Sequence, residues 1–161
     1  MKRILSILMF IAVAVFFNSV AMAQSNDGPE WQKDARISTG EVTVYKHSPT
    51  ESRIDVYAHE LKVPGQAKIL IETFHSKLKD SSVGFRLTSD GLACDPVMVS
   101  SSDCTRTQYQ YETADVKDIK LEVVSFTKDK KVYFVVLYYP EKSRDQVWDE
   151  FKKVLTGIDQ E

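Results

Sequence analysis

The chain has 161 residues, with 21 Lys and Arg against 23 Asp and Glu, a formal charge of −2, and only two cysteines and six glycines. The charges are interspersed without a basic stripe, which argues against nucleic acid or an anionic membrane surface as a partner. The glycines are scattered, and G-x-S-x-G, P-loop, G-x-G-x-x-G and H-E-x-x-H patterns do not occur, so most phosphate-cradling loops and common hydrolase signatures are excluded.

Residues 1–23 read as a secretory signal peptide. Lys2 and Arg3 form a basic start, Ile4 to Phe17 is almost wholly apolar, and Ala21-Met22-Ala23 has the A-x-A form of a cleavage site. The apolar run is shorter than the about 20 residues that a retained span requires. No later stretch has that character, so no stable membrane insertion is expected after cleavage. Removing this segment leaves 138 residues with 19 basic and 23 acidic side chains, enough for one domain with a proper core. Residues 24–39 form a polar lead-in containing Gly28, Pro29 and the first large apolar residue, Trp31. Residues 40–161 form a single domain.

Glu41 to Tyr45 is a short strand candidate, and Ser52 to Leu61 alternates as a second strand. Ile54, Val56 and Ala58 point one way; Asp55, Tyr57 and His59 point the other. The two runs are placed to pair as a hairpin. Val63-Pro64-Gly65 breaks the strand and opens a helix through Lys79, with Ala67, Leu70, Ile71, Phe74 and Leu78 on its core stripe. Ile69 lies nearly opposite and should be exposed. Val83 to Leu87 is a strand candidate, followed by a turn at Ser89-Asp90-Gly91.

Thr105 to Tyr111 alternates Thr105, Thr107, Tyr109 and Tyr111 against Arg106, Gln108 and Gln110, giving one largely polar face. Thr113 to Asp118 reads as a turn. Ile119 to Thr127 and Val132 to Tyr139 are strands, and the link Lys128-Asp129-Lys130 predicts an antiparallel hairpin. Both faces of Val132 to Tyr139 are apolar, so this strand should be covered on both sides. The polar-faced strands Ser52–Leu61 and Thr105–Tyr111 belong nearer the edges. A final helix starts after Ser143, with Gln146 three residues on completing a capping box. Its core stripe is Val147, Trp148, Phe151, Val154, Leu155 and Ile158, and Gly157 marks its stop. The fold class is α+β: a mostly antiparallel sheet of about five or six strands covered by helices.

Cys94 and Cys104, in an oxidising compartment, read as a disulfide closing a short loop. A redox pair would more often be C-x-x-C, and the loop CDPVMVSSSDC adds no histidine or third cysteine for a metal. His47, His59 and His75 fall within thirty residues, and with Asp55 or Glu72 they are the only candidates for a metal or hydrolytic site. Their positions on polar faces or helix edges favour solvated surface histidines, so no catalytic, cofactor or metal residues are assigned. Ser100-Ser101-Ser102 reads as a hydrated loop. Tyr109 and Tyr111, on the most polar strand beside the cysteine loop, are the expected exposed aromatic pair of a binding face.

The order of pieces resembles the PsbP/Mog1-like superfamily, including its bacterial periplasmic members of unknown function. The resemblance rests on SRIDVYAHEL followed by AKILIETFHSKL, then KLEVVSFTKDKKVYFVVLYYP and DQVWDEFKKVLTGI, and covers roughly residues 40 to 158. The chain departs from the family pattern in its Cys94–Cys104 loop and in lacking a run of Phe near the end of the last helix. The resemblance implies an α/β/α sandwich and a non-catalytic accessory module that binds or assembles other proteins. The resulting expectation is a periplasmic or secreted accessory protein that binds an envelope or extracellular protein through a sheet edge or the disulfide-closed loop. The alternatives are a small metal-dependent or hydrolytic enzyme and a small-ligand carrier.

Overall fold

A computed structural model describes residues 31–36, 38, 40–80, 85–111 and 118–160. The expected signal peptide and residues 24–30 of the lead-in lie outside these residues. Seven strands form one antiparallel sheet: β1 (Trp31–Lys33), β2 (Val42–His47), β3 (Ser52–Glu60), β4 (Phe85–Ala93), β5 (Thr105–Tyr111), β6 (Ile119–Lys128) and β7 (Lys131–Pro140). Helix α1 (Gln66–Asp80) follows β3, and α2 (Arg144–Gln160) ends the chain. The order across the sheet is β1-β2-β3-β7-β6-β5-β4. The fold is α+β, as the alternation and periodicity imply, with seven strands where five or six were expected: β1 is too short to show a period, and β4 runs longer than expected.

β7 is the central strand, and its two apolar faces feed two separate cores. Val132, Phe134 and Val136 pack with Phe74 and Leu78 of α1, together with Tyr57, Tyr109, Tyr111, Leu121 and Val123. Val135, Leu137 and Tyr139 pack with Val147, Phe151 and Leu155 of α2, together with Ile54, Val124 and Phe126. A strand apolar on both faces is satisfied only between two covering layers. Each helix turns its expected stripe inward, and Ile69 is exposed.

The β6–β7 link is a two-residue turn pairing Lys128 with Lys131, and both central residues take positive φ, Asp129 at 48° and Lys130 at 60°. That is the turn hand that matches the twist of a tight hairpin. The expected β2–β3 hairpin forms, its register running from Val42 opposite Tyr57 to His47 opposite Ser52.

The polar-faced strands β3 and β5 lie nearer the edges than β7, but neither is itself an edge strand, because β2 and β1 add beyond β3 and β4 adds beyond β5. Two expectations are corrected. Ser89-Asp90-Gly91 is not a turn between elements but an irregular stretch inside β4, with register shifts between Leu87 and Ser89 and between Ser89 and Leu92. Gly91 takes φ of 63°, a conformation that glycine adopts without steric cost, and so permits the bulge. Gly157 does not stop the last helix, which continues to Gln160. There Lys128 Nζ donates to the carbonyls of Ile158 and Asp159, and a tertiary cap sets the end where a glycine was expected to. The expected Thr113–Asp118 turn falls almost entirely outside the described residues.

Candidate functional site

Cys94 and Cys104 are disulfide-bonded, joining the end of β4 to the start of β5 with their Cα atoms 5.7 Å apart. The enclosed loop is part of the fold. Met98 and Val99 are buried in the α2 core, Ser100 N donates to Asp159 of α2, and Asp103 accepts from the backbone and hydroxyl of Thr127. Its exposed surface is polar apart from Pro96 and Val97, the latter 83% exposed. Of the two sheet edges, β1 is three residues long and β4 is broken by its register shifts, both of which blunt edge-to-edge strand addition.

The histidines are distributed through the fold. His47, at the end of β2, is buried, stacks on Trp31 and hydrogen-bonds through Nδ1 to Thr50 Oγ1 at 2.6 Å. His75 of α1 hydrogen-bonds through Nδ1 to the Tyr109 hydroxyl at 2.7 Å, and burial lowers its pKa. His59 lies beside Phe134, its pKa likewise lowered by burial. His47 is buried and His59 and His75 are half-buried, so none is the solvated surface histidine expected. No three metal-ligating side chains converge among the described residues.

Tyr109 and Tyr111 are buried, which corrects the expectation that they form the exposed pair. Alternation shows that the two faces of β5 differ but not which face a helix covers. α1 covers the tyrosine face. The Arg106, Gln108 and Gln110 face lies on the α2 side, and α2 does not reach across it entirely.

Two buried carboxylates, one on each sheet face, show what that incomplete cover does. Asp55, on the α1 side, is fully buried. Arg53 engages both of its oxygens, Nη2 donating to Oδ2 at 2.6 Å, and the Tyr57 hydroxyl donates to Oδ2 at 3.3 Å. Burial pushes the carboxyl up and the Arg53 guanidinium opposes it. Both oxygens have donors, so the cluster is closed.

Glu122, on the α2 side of β6, is 1% exposed. Gln108 Nε2 donates to its Oε1 at 3.1 Å, and Arg106 Nε lies 3.1 Å from the same oxygen. The Arg106 approach is out of line for a hydrogen bond, so Arg106 Nε and Glu122 Oε2 are buried without a hydrogen-bond partner. Burial raises the Glu122 carboxyl pKa, opposed by Gln108, Arg106 and Arg144. An orphaned buried polar group costs about 1–3 kcal/mol, so a donor–acceptor pair left this way calls for an explanation.

Glu122 lines a recess of about 230 Å³ between the start of α2 and strands β5 to β7. Gln108 and Tyr139 line it too, with Lys120, Glu141 and Arg144. Lys120 Nζ donates to Gln110 at 3.1 Å and pairs with Glu141 at 3.6 Å. The Arg144 guanidinium stacks 4.6 Å over Trp148, and its ion pair is a 3.8 Å approach to the fully exposed Asp145. The Tyr139 hydroxyl is pushed up to about 12, by burial first and the Glu122 charge second. These groups can hold a polar guest by hydrogen bonds and charge. The sequence signals were the polar face of TRTQYQY and Glu122 inside the apolar run IKLEVVSFT.

A solution structure of cyanobacterial PsbP (CyanoP) from Synechocystis sp. PCC 6803 superposes on this chain with a TM-score of 0.54 over 78% of each chain, at 17% sequence identity. The fold is PsbP-like. At that identity the PsbP-like assignment speaks to architecture alone. No protein-family model matches the sequence, and no curated protein does. No helix among the described residues is long and apolar enough to cross a membrane.

Proposed function

We propose that the protein is an exported, non-catalytic accessory protein that works by binding a protein partner, with the recess at the start of α2 as its contact site. The observation that carries this reading is the mixed-charge rim of Lys120, Glu141 and Arg144, raised over a floor of Gln108, Glu122 and Tyr139. Charges of both signs, placed by β6 and the start of α2, read a partner by complementarity. The disulfide supports an oxidising compartment, and the PsbP-like architecture supports an accessory role by analogy only. His47 and His75 support the non-catalytic part, since each is tied to a hydroxyl within the fold.

A photo-crosslinking residue at Glu141, in the cells that make the protein, tests this. Adducts to one protein, lost with Arg144→Glu and not obtained from a probe at Ile69 on α1, are the expected result. Equal labelling from Ile69, or no adduct from Glu141, would refute it.

A second reading, a small-ligand carrier, is favoured by the concavity of the recess and by its unpartnered floor atoms.

A further inference from the structure

The recess holds two groups with unmet demands of opposite kind. Glu122 Oε2 is a buried acceptor without a donor, whereas the equivalent oxygens of Asp55 on the other face are both served. Arg144 is a cation whose ion pair is a long contact to an adjacent, fully exposed carboxylate. Stacking on Trp148 and a hydrogen bond to the Tyr139 hydroxyl hold its guanidinium in place, and its remaining N–H groups are left for a guest. Lys120 is matched by Glu141, and Arg106 pairs with Glu122 through Oε1 alone, which leaves Oε2 without a donor. A guest that satisfied both demands would carry a cationic donor and an anionic acceptor a few ångströms apart. At about 230 Å³ the recess is below the ~300–1,000 Å³ of drug-sized pockets, so the guest is small.

We infer that the recess is a binding site for a small zwitterion of the amino-acid class, its ammonium donating to Glu122 and its carboxylate held by Arg144 with the Tyr139 hydroxyl. This deepens the carrier reading; it draws Arg144 from the rim to the guest and leaves Lys120 and Glu141 to meet a partner. Because Glu122 is 1% exposed, the guest's ammonium reaches it only with a side-chain movement at the rim. Arg144, its side chain 46% exposed, has room for that movement. The raised Glu122 pKa fits a carboxylate short of donors, which an ammonium would supply.

The test is an amide-resonance titration of the mature protein with glycine, alanine, glutamate and lysine, set against acetate and ethylamine, which carry one charge each. Saturable shifts confined to residues 108–110, 120–122 and 139–144 are expected for at least one amino acid, with acetate and ethylamine at least about tenfold weaker. Glu122→Gln and Arg144→Gln should each weaken binding about tenfold or more. Arg144→Gln lies at the surface and keeps the test informative if the buried substitution impairs folding. No saturable shift with any amino acid, or acetate or ethylamine binding as tightly as the zwitterion, would overturn the inference. Glu141 cross-links that persist while zwitterion binding fails would remove this inference alone, whereas loss of both removes the binding reading of the recess.

Discussion

The two buried carboxylates are alike in sequence context, an acidic residue within an apolar strand, and different in outcome. Asp55 carries its own donor two residues away, because Arg53 and Asp55 share a strand face. Glu122 takes its one donor, Gln108, from β5 across the sheet, and Arg106 of the same strand pairs by charge with the same oxygen. Register decides this: Gln108 stands opposite Glu122, while Arg106 is offset by one same-face position. His75 yields a prediction at the same scale. Burial lowers its pKa in the folded state, so the unfolded chain binds the proton at higher pH. Its contribution is full above the unfolded value near 6.5 and is lost as pH falls toward the lower folded value. Thermal melts should therefore show stability declining from pH 7 to pH 5. His75→Gln, which keeps an acceptor for Tyr109, should show a shallower decline, and equal slopes would refute the assignment.

Among the elements, the β6–β7 hairpin and the two helices were the most legible. Their apolar spacing is local, and the turn between β6 and β7 leaves no alternative partner at such short range. The turn residues themselves are poorly chosen for the geometry. Asp129 and Lys130 both adopt positive φ, which penalises a residue with a Cβ. Asp129→Asn with Lys130→Gly should stabilise the protein by up to about 1 kcal/mol, measured by denaturant melts. The Lys130 carbonyl, which accepts from Leu61 N at 2.7 Å, is retained in that variant. An unchanged midpoint would mean that contacts around the turn already absorb the strain. β4 was the least legible strand, since Ser89-Asp90-Gly91 has turn composition, yet the Thr107 hydroxyl donating to Asp90 holds the bulged stretch against β5.

For the whole molecule, the disulfide is the one covalent tie, and it joins the bulged outer strand to the α2 core through Met98 and Val99. Cys94→Ser with Cys104→Ser should cost about 2–3 kcal/mol from loop-closure entropy, lowering Tm by roughly 5–15 °C. A loss much smaller than that would mean that Met98, Val99 and the Ser100–Asp159 bond order the loop unaided. The sequence by itself determined the two-faced central strand, both amphipathic helices, the cysteine pairing and the α+β class, because each depends on spacing between near neighbours or on an even pair of thiols. Tertiary structure alone decided which face of β5 is covered, where α2 ends and why Glu122 Oε2 lacks a donor. Those outcomes depend on where α1 and α2 lie across the sheet and on which strands flank β5 and β7. That is long-range placement, and alternation along one strand carries no record of it.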